Sequence, residues 1–202
     1  MTKIRILGVS GSPRIGSTDF IVKKTLDYAK EKFNVETEYW TAHRKKIDFC
    51  IHCDYCVRTR KGCIQKDDIQ DLYPVLLRAD AWILASPVYQ GQISGQLKVV
   101  LDRTRAVVAK DPKAFENKVG MAIAIGGDRI GGQEPTIHTI LDFYVINQMI
   151  PVGGGSFGSN IGGTVWSKDQ GAEGAELDKE GWKSVRRTVR RMIKVASLLH
   201  KV

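Results

Sequence analysis

All four cysteines of the chain lie between Cys50 and Cys63, in the pattern Cys50-x2-Cys53-x2-Cys56-x6-Cys63. Three thiolates at successive two-residue gaps can wrap one compact cluster, and the fourth can arrive from the far side of a short loop. Zinc ribbons instead pair two C-x2-C knuckles across a longer gap. The spacing therefore favours a 4Fe-4S cluster bound by these four cysteines, with structural zinc or redox-active thiols as the alternatives.

A second candidate site is a hydroxyl-rich loop near the N-terminus, between an apolar run and a helical pattern. It offers hydroxyl groups, one cation and the free N–H groups of a helix N-terminus, which together suit a phosphate dianion. The loop lacks a Walker lysine, and the spacing of Gly8, Gly11 and Gly16 does not fit the dinucleotide fingerprint, so a monophosphate is favoured. The alternative is an ordinary tight Gly/Ser turn. The candidate phosphate ligands are Ser10, Ser12, Arg14, Ser17 and Thr18.

Two later loops follow apolar runs and could line a flat aromatic ring. One of them carries Tyr89, and the other has glycines on both sides of Arg129. Glycines let main-chain N–H groups approach the polar atoms of a flavin ring closely. Either loop taken alone could be an ordinary strand-to-helix connection. The candidate ring contacts are Pro87, Val88, Tyr89, Gly91, Gly126, Gly127 and Gly132.

The hydrophobic pattern places these loops at the ends of strands. Strands are predicted over 3–9, 35–40, 80–86, 118–125 and 149–152, with helices over about 17–33, 67–78, 95–108 and 135–148. This alternation predicts an α/β fold, a flavodoxin-like doubly wound sheet of five parallel strands in the order 2-1-3-4-5. Ligands of such sheets bind beyond the carboxyl ends of the strands. The segment 43–66, called the cysteine loop below, follows the second strand.

The whole chain, 1–202, is interpreted as a single domain. Residues 153–174 are glycine-rich and show no periodicity, which predicts a long loop that serves as an interface or active-site flap. The final helix is predicted from an apolar stripe between Trp182 and Leu199. Its other face is basic, and a solvated surface is the favoured interpretation of that face.

The formal net charge of +9 and the pI near 9.4 make acidic partners attractive. No nucleic-acid partner is expected, because no interleaved aromatic residues or known binding motif accompany the basic residues. No membrane association is expected either, since the apolar runs are far shorter than a membrane span. The N-terminus does not resemble a signal peptide, so the protein is expected to be cytoplasmic. No Ser/His/Asp arrangement that would indicate a hydrolase can be assembled.

The motifs resemble those of the archaeal and anaerobic bacterial iron-sulfur flavoproteins, within the wider NADPH-dependent FMN reductase group. The resemblance covers nearly the whole chain and rests on the cysteine motif and the segments 8–14, 86–89, 96–98, 102–103 and 126–134. It implies that FMN is bound, with its phosphate on the first loop and its ring against the two later loops. It also implies homo-oligomers, either dimers or tetramers, and ferredoxin or a similar acidic electron carrier as a partner. The sequence departs from the family at Asp128-Arg129-Ile130, where relatives often carry a small or polar residue.

The resulting hypothesis is an oxidoreductase that passes electrons between a 4Fe-4S cluster, FMN and external redox partners. One alternative is an FMN-dependent NAD(P)H:quinone or flavin reductase in which the cysteines bind structural zinc. A more remote alternative is a non-enzymatic zinc module that binds nucleic acid through its positive charge. The glycine loops speak against this last possibility.

Overall fold

The computed structural model describes residues 3–155, 157 and 160–200. Its strands are β1 (Arg5–Ser10), β2 (Glu36–Thr41), β3 (Ala81–Pro87), β4 (Val119–Gly126), β5 (Ile150–Pro151) and β6 (Gly163–Trp166). Its helices are α1 (Ser17–Lys32), α2 (Tyr55–Thr59), α3 (Leu72–Arg78), α4 (Gly95–Arg103), α5 (Arg105–Lys110), α6 (Gln133–Ile146), α7 (Gly171–Leu177) and α8 (Lys179–His200). A short 3-10 turn, Asp68–Asp71, precedes α3.

The strands form one parallel sheet in the order β2-β1-β3-β4-β5, which confirms the predicted fold class and strand order. The prediction of five strands was incomplete, because β6 also pairs with β4. β5 lies beside the start of β4, at Val119 and Gly120, and β6 lies beside its end, from Ile123 to Gly126. The fifth position of the sheet is therefore shared by two short pieces of chain.

The prediction that residues 153–174 form an irregular loop was wrong in part, since β6 and the start of α7 lie within them. β6 has only four residues, which is too short for a clear alternating pattern. Residues 156, 158 and 159 of this segment lie outside the described residues, and its predicted role as a flap stays a prediction.

Apolar side chains cover both faces of the sheet, as expected of parallel strands joined by helical crossovers. β3 and β4 are buried along their whole length. Helices α1, α7 and α8 pack on one face, and α3, α4, α5 and α6 pack on the other. In α8 the predicted stripe is confirmed, because Val185, Val189 and Met192 are fully buried. Burial of each such side chain contributes roughly 1.5–3 kcal/mol.

The single helix predicted over 95–108 is divided into α4 and α5 at Thr104. Arg103 is the last residue of α4 and is only 2% exposed. No helix in the described part of the chain is long and apolar enough to cross a membrane.

Candidate functional site

The first loop leaves β1 at Ser10 and reaches α1 at Ser17. Ser10 is fully buried, and its Oγ has no hydrogen-bond partner among the described residues. A buried hydroxyl without a partner is costly, so Ser10 Oγ is a polar group that a ligand would satisfy. Ser12 differs, because its Oγ donates to the carbonyl oxygen of Arg14 at 2.8 Å and thereby shapes the loop.

The same loop ends at the N-terminus of α1, a helix of 16 residues. Gly16 stands at the N-cap position, and no described side chain caps the helix there. The first N–H groups of such a helix favour an anion, because they lack intrahelical acceptors. Thr18 is buried in this first turn, Ser17 is half-buried, and Arg14 is exposed beside it. The predicted phosphate ligands therefore lie on the loop and first turn that lead into a helix N-terminus without a side-chain cap.

The second and third predicted loops are in direct contact. Tyr89 and Gln92 exchange backbone hydrogen bonds at 2.9 and 3.0 Å, which folds the second loop into a tight turn. Gly132 has a φ of +104°, and a Cβ on it would lie 2.6 Å from the Cα of Gly91. Only glycine meets both conditions without strain. We call the three loops 10–18, 87–91 and 126–132 together the strand-end cradle.

Within the second loop the predicted ring contacts differ in position. Pro87 is buried as the last residue of β3, and Val88 packs against the core on the α3–α6 face of the sheet. The Val88 N–H donates to the carbonyl oxygen of Ile125 at 2.9 Å and so joins the second loop to β4. Tyr89 is exposed at the rim. Of these side chains, Tyr89 is the one at the surface of the cradle.

The third loop is braced by side chains for which no role was predicted from the sequence. Gln133 Nε2 donates to the carbonyl oxygen of Asp128, and Gln133 Oε1 accepts from the Gly131 N–H at 2.9 Å. A Cβ on Gly126 would lie 2.4 Å from Gln133 Nε2, and one on Gly127 would lie 2.2 Å from Asp169 Oδ1. Gly126 is therefore required by the loop's own packing, because its Cβ would also lie 2.8 Å from the backbone oxygen of Asp128, whereas the exposed Asp169 side chain could move away from a Cβ on Gly127.

A second brace runs from the third loop to the elements after β6. Arg129 donates to the buried carboxylate of Asp178 at 2.7 Å, and its guanidinium lies 4.7 Å from the centre of the Trp166 ring. Burial raises the pKa of Asp178, but the Arg129 hydrogen bond and the backbone N–H groups of Trp166 and Gly181 outweigh it and hold the pKa below its usual value. The unusual Arg129 of the sequence thus has a structural partner.

The cysteine loop leaves β2 and has little regular structure apart from α2. Its four cysteines are all free thiols, with Cys56 buried in α2, Cys53 exposed, and Cys50 and Cys63 half-buried. Within residues 3–155, 157 and 160–200, no three His, Cys, Asp or Glu side chains are grouped so that they could hold a metal ion. The loop itself does not gather the four sulfurs around one point.

The two limbs of the cysteine loop are joined at its base by Arg103. This arginine pairs with both carboxylate oxygens of Asp67, at 2.6 and 3.1 Å. The same guanidinium donates to the carbonyl oxygen of Asp48 at 2.5 Å and to Gln65 Oε1 at 3.1 Å. Gln65 Nε2 in turn donates to the carbonyl oxygen of Phe49 at 3.1 Å. We call this network of Arg103, Asp67, Gln65 and the 48–49 backbone the clasp.

A second arginine reaches the tip of the loop. Arg105 donates to Asp54 Oδ1 at 2.6 Å, and Asp54 lies between Cys53 and Cys56. The pKa of Arg105 is raised, first by this hydrogen bond and then by the charge of Asp54, with smaller contributions from Cys56 and Cys50. The segments that carry the family resemblance include Arg103, but no contact with the cysteine loop was predicted for either arginine, because both are distant from the cysteine motif in sequence.

The residues present fit the two predicted cofactors in different senses. For FMN the fit is spatial, because an unpartnered buried hydroxyl and an uncapped helix end share the first loop. For a 4Fe-4S cluster the fit is in the number and type of donors, which are four free thiols on one short loop. The assignment of individual residues to each cofactor stays a prediction.

Comparisons with known proteins identify the family. The sequence model described as NADPH-dependent FMN reductase matches residues 4–164. The chain is 53% identical over 192 residues to an iron-sulfur flavoprotein of Methanocaldococcus jannaschii, covering 95% of this chain and 96% of the relative. It is 50% identical over 197 residues to an iron-sulfur flavoprotein of Archaeoglobus fulgidus, covering 98% of each.

Among solved structures, a flavodoxin-like WrbA-like protein from Agrobacterium tumefaciens has a TM-score of 0.68 at 16% identity, covering 98% of this chain and 99% of the other. A structure of RosB has a TM-score of 0.71 at 16% identity, covering 98% and 81%. These likenesses show the fold alone, and the flavin-dependent redox role follows from the family match and the close relatives. The chain therefore belongs to the NADPH-dependent FMN reductase family and, within it, to the iron-sulfur flavoproteins, a group of oxidoreductases.

Proposed function

We propose that this protein passes electrons between a 4Fe-4S cluster on the cysteine loop, FMN in the strand-end cradle and an external acidic carrier of the ferredoxin type. The observation that carries the proposal is the direct contact between the chain that leads into the cysteine loop and the first loop of the cradle. The residue just before the cysteine loop is hydrogen-bonded to the start of the first loop, since the Ala42 N–H donates to the carbonyl oxygen of Ser10 at 2.9 Å. The ring of His43 lies 2.7 Å, Nδ1 to oxygen, from the carbonyl oxygen of Pro13.

In this proposal each group of residues has a separate task. The Ser10 hydroxyl and the N-terminus of α1 bind the FMN phosphate, and the main chain around Gly91 and Gly132 orients the ring. The four cysteine thiolates hold the cluster, and the clasp fixes the base of their loop. When bound, FMN can exchange one or two electrons and a four-iron cluster normally exchanges one, so together they convert between one- and two-electron chemistry.

The charge around the cysteine loop supports an acidic electron carrier as the partner. Cations near a redox centre steer an acidic protein toward it and increase its association rate at low salt. Exposed basic residues lie before the first cysteine and between Cys56 and Cys63: Arg44, Lys46, Arg58, Arg60 and Lys61. The proposal includes a steep fall of the electron-transfer rate from such a carrier as salt increases.

Exposed apolar side chains at the same edge of the sheet support self-association into a dimer or tetramer. Ile15 and Ile130 lie on two loops of the cradle and are 59% and 95% exposed. Phe49 and Ile51 lie beside Cys50 and are 69% and 60% exposed. Apolar side chains gathered in one region of a surface are typical of sites covered by a partner. A second copy of the chain is the partner we propose.

The first experiment is anaerobic purification followed by the visible spectrum and the amounts of iron, acid-labile sulfide, zinc and FMN per chain. The proposal expects about four iron, four sulfide and one FMN. One zinc with one FMN would instead favour a flavin or quinone reductase with a structural zinc site. Neither iron nor flavin in freshly purified protein would overturn the proposal.

A further inference from the structure

The strongest unassigned feature of the molecule is the clasp at the base of the cysteine loop. Arg103 is 2% exposed, yet its charge is fully engaged by Asp67 through two hydrogen bonds. A buried arginine left without its carboxylate would cost several kcal/mol, on the order of 3–5. The pairing therefore fixes the position of both side chains, and of the loop residues bonded to them.

The clasp closes the loop at equal distances from its first and last cysteine. Asp48 lies two residues before Cys50, and Gln65 lies two residues after Cys63. Arg103 binds both positions at once, at 2.5 and 3.1 Å. The limbs are also joined to each other, because the Asp48 N–H donates to Asp67 Oδ2 at 3.1 Å. One guanidinium thus sets the spacing of the two limbs that bear the outer cysteines.

Arg103 is itself held in place by neighbouring helices. The Tyr73 hydroxyl donates to the carbonyl oxygen of Arg103 at 2.9 Å, and burial raises the pKa of Tyr73 to about 12, so the hydroxyl stays protonated. Arg103 is the last residue of α4, just before α5 begins at Arg105. The clasp is therefore anchored to regular structure and not to another part of the loop.

A further polar atom of Arg103 is left available for a ligand. Its Nε–H is buried and has no hydrogen-bond partner in the part of the chain that the structure describes. Gln65, two residues after Cys63, contacts the same guanidinium at 3.1 Å, which brings the chain that bears Cys63 next to Arg103. Burial lowers the pKa of Arg103, but the Asp67 hydrogen bond and then the charge of Cys63 raise it overall. An N–H group close to a ligating sulfur raises the reduction potential of an iron-sulfur cluster.

We propose that Arg103 is the positioning residue of the cluster site: its guanidinium holds the two limbs of the cysteine loop at the spacing the cluster requires, and its unpartnered Nε–H is the donor available to the sulfur of Cys63. This inference rests on the proposed function, since it concerns the same cluster. It adds a residue outside the cysteine motif that governs both the retention of the cluster and its potential.

The test compares Arg103→Lys with the wild type and with Arg78→Lys. Lysine keeps the positive charge and the trypsin cleavage site, but it lacks the planar guanidinium that bonds two groups at once and it lacks the Nε–H. Arg78 is the matched control, because it also pairs with a carboxylate through two hydrogen bonds, to Glu38, but on the exposed surface and away from the cysteines. Gln65→Leu removes one partner of the clasp from a half-buried position and serves if Arg103→Lys does not fold.

Three measurements are made on each variant. In cluster-free protein, trypsin should cut after Arg58, Arg60 or Lys61 faster in Arg103→Lys than in wild type. In cluster-loaded protein, iron should pass to a chelator about tenfold faster, the size expected for loss of an outer-sphere partner. The cluster that remains should have a lower midpoint potential in an EPR-monitored redox titration, while Arg78→Lys matches wild type throughout.

The outcomes separate this inference from the proposed function. Wild-type protein without iron would overturn the proposed function, whereas the trypsin comparison on cluster-free protein would still test the clasp. If the wild type holds a cluster, and Arg103→Lys and Gln65→Leu both match it in cleavage rate, iron loss and midpoint potential, the proposed role of Arg103 is overturned. Faster iron loss with an unchanged potential would overturn the Nε–H donor.

Discussion

The strand-end cradle and the cysteine loop lie at the same edge of the sheet, but their geometry has different origins. The cradle is set by the ends of β1, β3 and β4 and by direct backbone contact, as between Gly132 and Gly91. The cysteine loop is an insertion after β2 whose four sulfurs are not grouped within the described residues, and its base depends on side chains. A site at strand ends takes its shape from the sheet, whereas an inserted site must be shaped by side-chain bonds and by its ligand.

The most severe test of this difference is Cys56→Ser, which removes the buried cysteine of α2. We expect iron to fall from about four per chain to nearly none, because a four-iron cluster needs its four thiolates. FMN should stay near one per chain, since the cradle does not depend on the loop's ligand. Metal and flavin analysis of purified protein measures both.

The control for this substitution is His52→Ala, an exposed position in the same loop. It should keep wild-type amounts of both cofactors. If Cys56→Ser lost FMN together with iron, the two sites would form one cooperative unit and the contrast drawn above would fail.

A smaller effect is expected from Gly132→Ala in the cradle. Its φ of +104° disfavours a side chain, and the new Cβ would lie 2.6 Å from the Cα of Gly91. We expect FMN to bind about thirtyfold more weakly, from left-handed strain of about 1–2 kcal/mol and displacement of the two loops, while bound iron is unchanged. FMN titration followed by quenching of flavin fluorescence gives the affinity.

Gly155→Ala separates strain from contact. Gly155 has nearly the same φ, +105°, but no described atom lies within 4 Å of the position its Cβ would take. This variant should bind FMN as the wild type does. Equal losses of affinity in both variants would show that the Gly132–Gly91 contact does not shape the cradle.

The smallest effects are expected for Ser10→Ala, which should weaken FMN binding but stabilise the FMN-free protein. FMN affinity should fall about tenfold, because a hydrogen bond to the charged phosphate is lost. The FMN-free protein should become more stable by about 1 kcal/mol, because an unsatisfied buried hydroxyl is removed. Urea unfolding of FMN-free protein and FMN titration test the two signs independently. A loss of stability without FMN would mean that Ser10 Oγ is satisfied in the free protein.

Much of the fold could be predicted because β3 and β4 are continuous apolar runs, and buried parallel strands have that signature. The division of the fifth strand could not be predicted in the same way. β5 has two residues and β6 has four, and neither is long enough to establish a period.

In the site, the phosphate loop was found because its chemistry is local, with hydroxyls and glycines in one segment after a strand. The clasp was missed because its chemistry is distributed over the chain. Arg103 lies 36 residues from Asp67 and 55 from Asp48, and an arginine near a helix end usually faces solvent. In the structure Arg103 is buried at the end of α4, whereas the sequence pattern predicted a helix that continues past it.

The two edges of the sheet are protected in different ways against pairing with another copy. On one edge β2 carries Glu36 and Glu38, which pair with Arg5 and Arg78. On the other edge the strand is divided into β5 and β6, so it presents two short segments instead of one long ladder. Charged residues and short edge strands both disfavour runaway β-aggregation. Neither edge of the sheet therefore offers a long, uncharged strand to which the sheet of another copy could add.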